Sequence, residues 1–355
     1  MFRLLSLILC SVFLAQPVRA EVNVTVSYSE AADLYSTMDN VSGWLEGYTW
    51  PEYRTEWSER FGWSAADQVW IDRYTEFRRR TFIEDGRLRD PRNLPDGIFA
   101  PQGEGTSGSD PLAMYFLAQP NIKTALRNLD RAFTRSDARM LRGFYNHFAS
   151  RWRVLLQDNE PLVNRANALQ ERMQNPEISH FIDTANAFYQ SEVSGPFTVY
   201  FTRRPPGSES SAEPLAGNYI LLHSSAEGNE AEYWDTIVMH ELVHFVSSRQ
   251  PQEQKQTLTA RFLNRCPLPK GAKLLWLIEE PLAVAWGQAA YSAQVLHKPL
   301  DPLENWYGIP WVNIVSRTIA PTIITGYHSD LRIEDVIDQA ADRCVDLTTI
   351  SNQLE

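Results

Sequence analysis

Residues 240–244 read His-Glu-Leu-Val-His. On an α-helix, positions i and i+4 lie about 40° apart, so both imidazoles can reach one metal ion from one face. Glu241 sits on the rim of that face. There it can take a proton from water activated by the ion without ligating the ion itself. Chance produces this pattern about once in a hundred chains of this size. The alternative is a pair of buried histidines satisfied by backbone or carboxylates.

Two histidines leave a catalytic zinc incomplete, because such sites usually use three protein ligands and one open position. The metzincin continuation would place Gly at 247 and His at 250, but the chain has Ser247 and Gln250. A carboxylate from a later helix is the remaining common solution. Residues 274–288, LLWLIEEPLAVAWGQ, set Glu279 and Glu280 in an otherwise apolar run. Burying such a pair is costly unless a cation satisfies it.

This arrangement resembles the gluzincin metallopeptidases, in which H-E-x-x-H is followed by a ligand glutamate on a second helix. Many members carry a W-L-x-E-G-x-A kind of sequence there, and Trp276-Leu277-Ile278-Glu279-Glu280-Pro281-Leu282-Ala283 is similar. Counting from Trp276 favours Glu279, and counting back from Leu282-Ala283 favours Glu280. Glu280 is preferred, because Pro281 suits the first turn of a helix and would set Glu280 at its mouth. Glu279 is then an alternative ligand or a partner of the ligands.

The resemblance spans about 195–330, with firm motifs only at 240–244 and 276–283. It implies zinc held by His240, His244 and Glu280, with Glu241 as general base. It also implies a Tyr or His after the ligand glutamate as oxyanion stabiliser, for which Tyr307, Tyr327 and His328 are candidates. An edge strand before the metal helix would pair with an extended peptide, and 218–222 would hold that place. His223, at that strand's end, reads more readily as a surface or turn residue than as part of the cleft.

The elements that must position these residues follow from periodicity. The metal motif lies in a helix from about 230 to 248. Two runs before it, Phe197–Phe201 and Asn218–Leu222, are β-branched and aromatic and read as short neighbouring strands. The Pro/Gly-rich segment between them reads as a loop. Residues 21–190 read as successive helices, at 65–81, 111–118, 122–133, 136–156, 160–173 and 176–189. A Gly/Pro-rich stretch at 86–108 interrupts them and reads as a functional loop. The expected fold class is mainly α (α+β), a helical domain at 21–190 and a gluzincin-like catalytic domain at 191–355 with a small sheet.

Residues 1–20 carry Arg3, an apolar run from Leu4 to Ala15, and Val18 and Ala20 at the −3 and −1 positions of a cleavage site. This reads as a secretory signal peptide, and the run is short of the ~20 residues of a membrane span. The mature protein is expected to be exported, periplasmic or secreted, without stable membrane insertion. Cys266 and Cys344 then remain and are candidates for a disulfide. Asn23 and Asn40 match the N-glycosylation acceptor pattern, which has meaning only in a eukaryotic secretory pathway.

The 33 basic against 44 acidic residues give a net charge of −11, which disfavours a nucleic-acid partner. Arg78-Arg79-Arg80 reads as a solvated helix face. The expected activity is hydrolysis of peptide bonds in a peptide or protein substrate. The competing readings are an exported scaffold that retains the fold without catalysis, and a zinc amidase acting on cell-wall or non-protein substrate.

Overall fold

The computed structural model describes residues 22–84, 87–88, 110–215, 218–225, 231–266, 275–301, 303–329 and 331–354. Residues 1–20, read from the sequence as a signal peptide, and nearly all of the Gly/Pro-rich stretch at 86–108 lie outside these residues. The described chain is mainly helical with a small mixed sheet.

The first element is a strand, β1 (Val22–Tyr28). Its sequence VNVTVSY alternates, and Val22, Val24 and Val26 are buried while Asn23 and Ser27 face solvent. Helices α1 (Glu30–Ser42), α2 (Pro51–Phe61) and α3 (Ala65–Thr81) follow, then a two-stranded ribbon of β2 (Ile83–Glu84) and β3 (Arg87–Leu88). Next come α4 (Pro111–Leu117), α5 (Ile122–Asn128), α6 (Arg135–Leu156), α7 (Glu160–Met173) and α8 (Pro176–Tyr189). Their starts are written in the sequence. Ser64 and Asp67 form a reciprocal capping box on α3, and Asp110, Thr134 and Asn175 cap α4, α6 and α8.

Three strands complete the sheet: β4 (Gly195–Arg203), β5 (Ser211–Leu215) and β6 (Tyr219–Ser224). The order is β1-β4-β6-β5, with β1, β4 and β6 parallel and β5 antiparallel to β6. Two sequence expectations are corrected here. The 205–217 segment is not all loop, because β5 lies in it. The run at 218–222 is central rather than at the edge, since β6 has β4 on one side and β5 on the other. The outer strands are β1 and β5.

The metal motif lies on α9 (Ala231–Ser248), followed by α10 (Gln252–Arg265). A helical run at 275–294, here α11, changes winding as it goes. Leu275–Glu279 and Ala285–Ala290 are π-helical, while Glu280–Val284 and Tyr291–Gln294 are α-helical. Glu280 is therefore not at a helix mouth, as its neighbour Pro281 suggested. Proline removes one N–H from the ladder, and the run tolerates it where the hydrogen-bond register already shifts. The chain ends with α12 (Pro310–Gly326) and α13 (Ile333–Leu354). Cys266 and Cys344 are disulfide-bonded, joining the end of α10 to α13 with Cα atoms 5.8 Å apart.

The sheet separates two apolar cores. Phe197, Val199, Phe201, Ile220 and Leu222 face one, with residues of the helices from α7 onward. Leu221, Tyr200 and Tyr219 face the other, formed by α1 to α6. The division expected near 190 is thus not where the buried residues divide. β1, α7 and α8 pack in the same core as α9. The helical layer is fixed to the sheet by polar contacts. Tyr53 Oη donates to Arg203 O at 2.5 Å, and Arg203 N donates to Asp33 Oδ1 at 2.7 Å.

That layer also corrects the basic run. Arg78 is buried, not solvated, and its guanidinium bonds Asp39 and Asp110 at 2.7 Å each. Tyr74 and Trp44 donate to Asp39, and Tyr35 donates to Asp110. Arg79 is exposed and Arg80 pairs with Asp137. Asn40, one of the two acceptor-pattern asparagines, is likewise buried. It donates to Ser36 O and accepts from Trp50 N.

Candidate metal centre

Helix α9 is held rigidly from behind. Trp234, Val238, Met239, Leu242, Val243 and Val246 are all fully buried. That leaves His240 and His244 on the face turned toward α11. Their Nε2 atoms lie 3.2 Å apart. Glu280 enters from α11, with Oε1 3.2 Å from His240 Nε2 and Oε2 3.1 Å from His244 Nε2. His240 and Glu280 are buried, whereas His244 keeps an exposed side-chain edge.

This group could hold a metal ion, and the spacing fits one. Ligand atoms about 2.0–2.2 Å from a tetrahedral centre stand about 3.3–3.5 Å from one another. The imidazole nitrogens stand 3.2 Å apart and His244 Nε2 stands 3.1 Å from Glu280 Oε2, close to that, and with one donor atom from each residue the three lie within 4.8 Å of one another. Without a cation, two ring nitrogens meet each other and one carboxylate at once, and neutral imidazoles cannot satisfy every pair. His240 Nδ1 is also buried with no hydrogen-bond partner.

The electrostatics belong to the same cluster. Burial alone would raise Glu280, yet its hydrogen bonds to His240 and His244 hold it well below the ordinary carboxyl range. Burial would lower His244, but the bond to Glu280 and the charges of Glu241, Glu280 and Glu279 raise it instead. Glu241 acts on this site through space, and its Oε2 is buried with no partner.

The other sequence-derived candidates separate cleanly. Tyr307 stacks on His240 at 6.2 Å between centroids and donates its hydroxyl to Glu280. Burial and that bond push its pKa far up, so it stays a neutral donor. The loop carrying it is anchored where Trp306 N donates to Asn313 Oδ1 at 3.0 Å. Tyr327 and His328 instead pack on His180, and Tyr327 also packs on Phe181 and Trp286. Burial pushes the Tyr327 hydroxyl up to about 12, with Thr184 as its hydrogen-bond partner. Glu279 lies outside the converging group and lines a recess with Lys255 and Tyr189. His223 is fully buried rather than at the surface. Its Nδ1 meets Thr202 Oγ1 at 2.8 Å and its Nε2 meets Glu213 at 3.1 Å.

Sequence reading passed over Gly287, which faces the backbone of His240. A glycine in an apolar helix is the only signal it gives. Comparisons with protein-family models, with curated proteins and with solved structures find no match for this chain. Among the described residues, no helix is long and apolar enough to cross a membrane.

Proposed function

We propose that this chain is an exported zinc metallopeptidase that hydrolyses peptide bonds in a peptide or protein substrate. The observation carrying this reading is the buried, unpartnered Glu241 Oε2 beside a converged His240, His244 and Glu280. A purely structural pair of histidines has no use for a second carboxylate held without a partner. The two-imidazole, one-carboxylate donor set is characteristic of catalytic zinc, and it leaves one position open.

In this reading His240, His244 and Glu280 hold the ion. When bound, zinc supplies Lewis acidity, polarising the scissile carbonyl and making water acidic. Glu241 accepts the proton from that water and later returns it to the leaving amine. Tyr307, kept neutral and already turned into the ligand cluster, donates a hydrogen bond to the oxygen that gains charge. Packing behind α9 keeps the two imidazoles in place throughout. Export is part of the proposal, and the bonded Cys266 and Cys344 support an oxidising compartment.

The test is metal analysis followed by a peptide-library digest. One zinc per chain, lost in His240→Ala, is expected. Glu241→Gln should retain zinc and lose turnover. Unaltered turnover in Glu241→Gln would remove Glu241 from its role, and a metal-free wild type after reconstitution would sink the proposal.

A further inference from the structure

Arg317 and Arg343 line one groove, formed by Ile314, Arg317 and Thr318 on α12 and by Arg343 on α13. Residues 314, 317 and 318 are i, i+3 and i+4, so they share one helix face. The two helices are fixed to each other where Thr322 Oγ1 donates to Gln339 Oε1 at 2.9 Å. Thr318 and Arg343 each lie about one turn beyond that bond on their own helix. The groove holds about 360 Å³, within the range of about 300–1,000 Å³ usual for small-molecule sites. It shares no residue with the His240, His244 and Glu280 group.

Its charge is one-sided. None of the lining residues is acidic. Among the described residues, half-buried Arg317 makes no ion pair or hydrogen bond. Asp338 and Asp342, which precede Arg343 on α13, face α10 instead, where Arg261 and Arg265 pair with them. Thr318 spends its hydroxyl proton on Ile314 O at 2.9 Å, so the donors facing the groove are guanidinium N–H groups. Arginine does not lose its proton in a protein, so two guanidiniums cannot relieve their repulsion by neutralising. An anion between them does relieve it.

We propose that this groove binds a tetrahedral oxyanion of the phosphate class. Each guanidinium presents parallel N–H donors that match a pair of phosphate oxygens. A phosphate group carries about −1.5 to −2 at pH 7, close to the charge of the two arginines. A carboxylate brings a single charge and two oxygens, and meets that demand less well. The bound anion ties α12 to α13 and stabilises the folded chain by mass action. The lining residues are half-buried, so a free ion and a phosphoryl group on a larger molecule can both reach them. The site stands apart from the metallopeptidase reading.

The experiment is calorimetry on the full chain with inorganic phosphate, O-phosphoserine and acetate at fixed ionic strength, once with chelator and once with zinc-loaded protein. Inorganic phosphate should bind at one site per chain, at least about tenfold tighter than acetate, and equally with and without zinc. Arg317→Gln and Arg343→Gln should each weaken it at least about tenfold. If Arg343→Gln does not fold, Arg317→Gln alone carries the test. Phosphoserine binding as tightly as phosphate assigns the site to a phosphoryl group on a larger molecule, and binding of phosphate alone assigns it to the free ion. No phosphate binding, acetate binding of equal strength, unchanged affinity in Arg317→Gln, or binding that requires zinc would overturn the site.

Discussion

Gly287 lies against the backbone of His240 so closely that a Cβ there would stand 2.3 Å from His240 Cα and 2.4 Å from its N. No side-chain rotation relieves a clash with backbone. The approach of α11 to α9, and hence the reach of Glu280 to both imidazoles, depends on this glycine. Gly287→Ala should force the helices apart, costing about 1–3 kcal/mol or more. Metal affinity should fall at least tenfold, read by competition with a chelating dye. Unchanged affinity would show that Glu280 reaches the ion independently of this crossing.

Under the proposed function, Tyr307 should be separable from His240, His244 and Glu280. Tyr307→Phe keeps the ring on His240 but removes the donor to Glu280. Loss of an oxyanion donor typically costs about 10²–10³ in kcat. That loss should appear in kcat with little change in KM. If Tyr307 only orients Glu280, the defect will instead appear as weakened metal binding with turnover of the loaded enzyme preserved.

Metal-free protein should have its own pH optimum of stability. His244 is raised above 6.5 by the nearby carboxylates, so its stabilising contribution is full below 6.5 and fades as pH rises through the folded value. Glu280 is depressed below 4.5 by the two imidazoles, so its contribution is present above 4.5 and is lost as pH falls. Together they place the window between 4.5 and somewhat above 6.5. Zinc needs His244 neutral, so bound metal should move the optimum upward. Urea midpoints across pH, with chelator and with zinc, check both shifts.

Arg78→Met should destabilise the fold by about 3–5 kcal/mol, because Asp39 and Asp110 would be left buried without their shared cation. Equilibrium urea unfolding measures this. A loss below about 1 kcal/mol, the size expected of a surface pair, would return Arg78 to the solvated face.

Opening the Cys266–Cys344 bond, 78 residues apart in sequence, should lower stability by about 2–4 kcal/mol. The double Cys→Ser variant compared with wild type, each in the presence and absence of reductant, provides the measurement. Only the wild type should respond to reductant.

Much of this fold was legible locally. The helices at 65–81 and 176–189 begin at their caps, and that at 160–173 begins at a proline in its first turn; all three follow their apolar rhythm. The histidine pair was legible because i, i+4 spacing fixes direction on a helix. Neighbour relations were not. The run at 218–222 reads as a strand, but nothing in it says that β5 lies outside it. The edge signal was in β5 itself, whose Pro214 and Glu213 suit an outer strand. β1 carried a plain alternation that the surrounding helices obscured. Arg78 falls on the buried face of α3 with Ile71 and Tyr74 while Arg79 does not, but no local pattern names its partners Asp39 and Asp110.

β1 imposes an order on synthesis. It is the first described element, yet its ladder partner is β4, with Thr25 opposite Thr198 across 173 positions. Six helices with a core of their own, α1 to α6, emerge in between. They can condense while β1 still lacks a neighbour. Sheet closure must therefore wait for most of the chain, and such long-range parallel pairing is slow. Until then the outermost strand is an open edge, and a truncated C-terminal half beginning after 190 would leave β4 in that condition permanently.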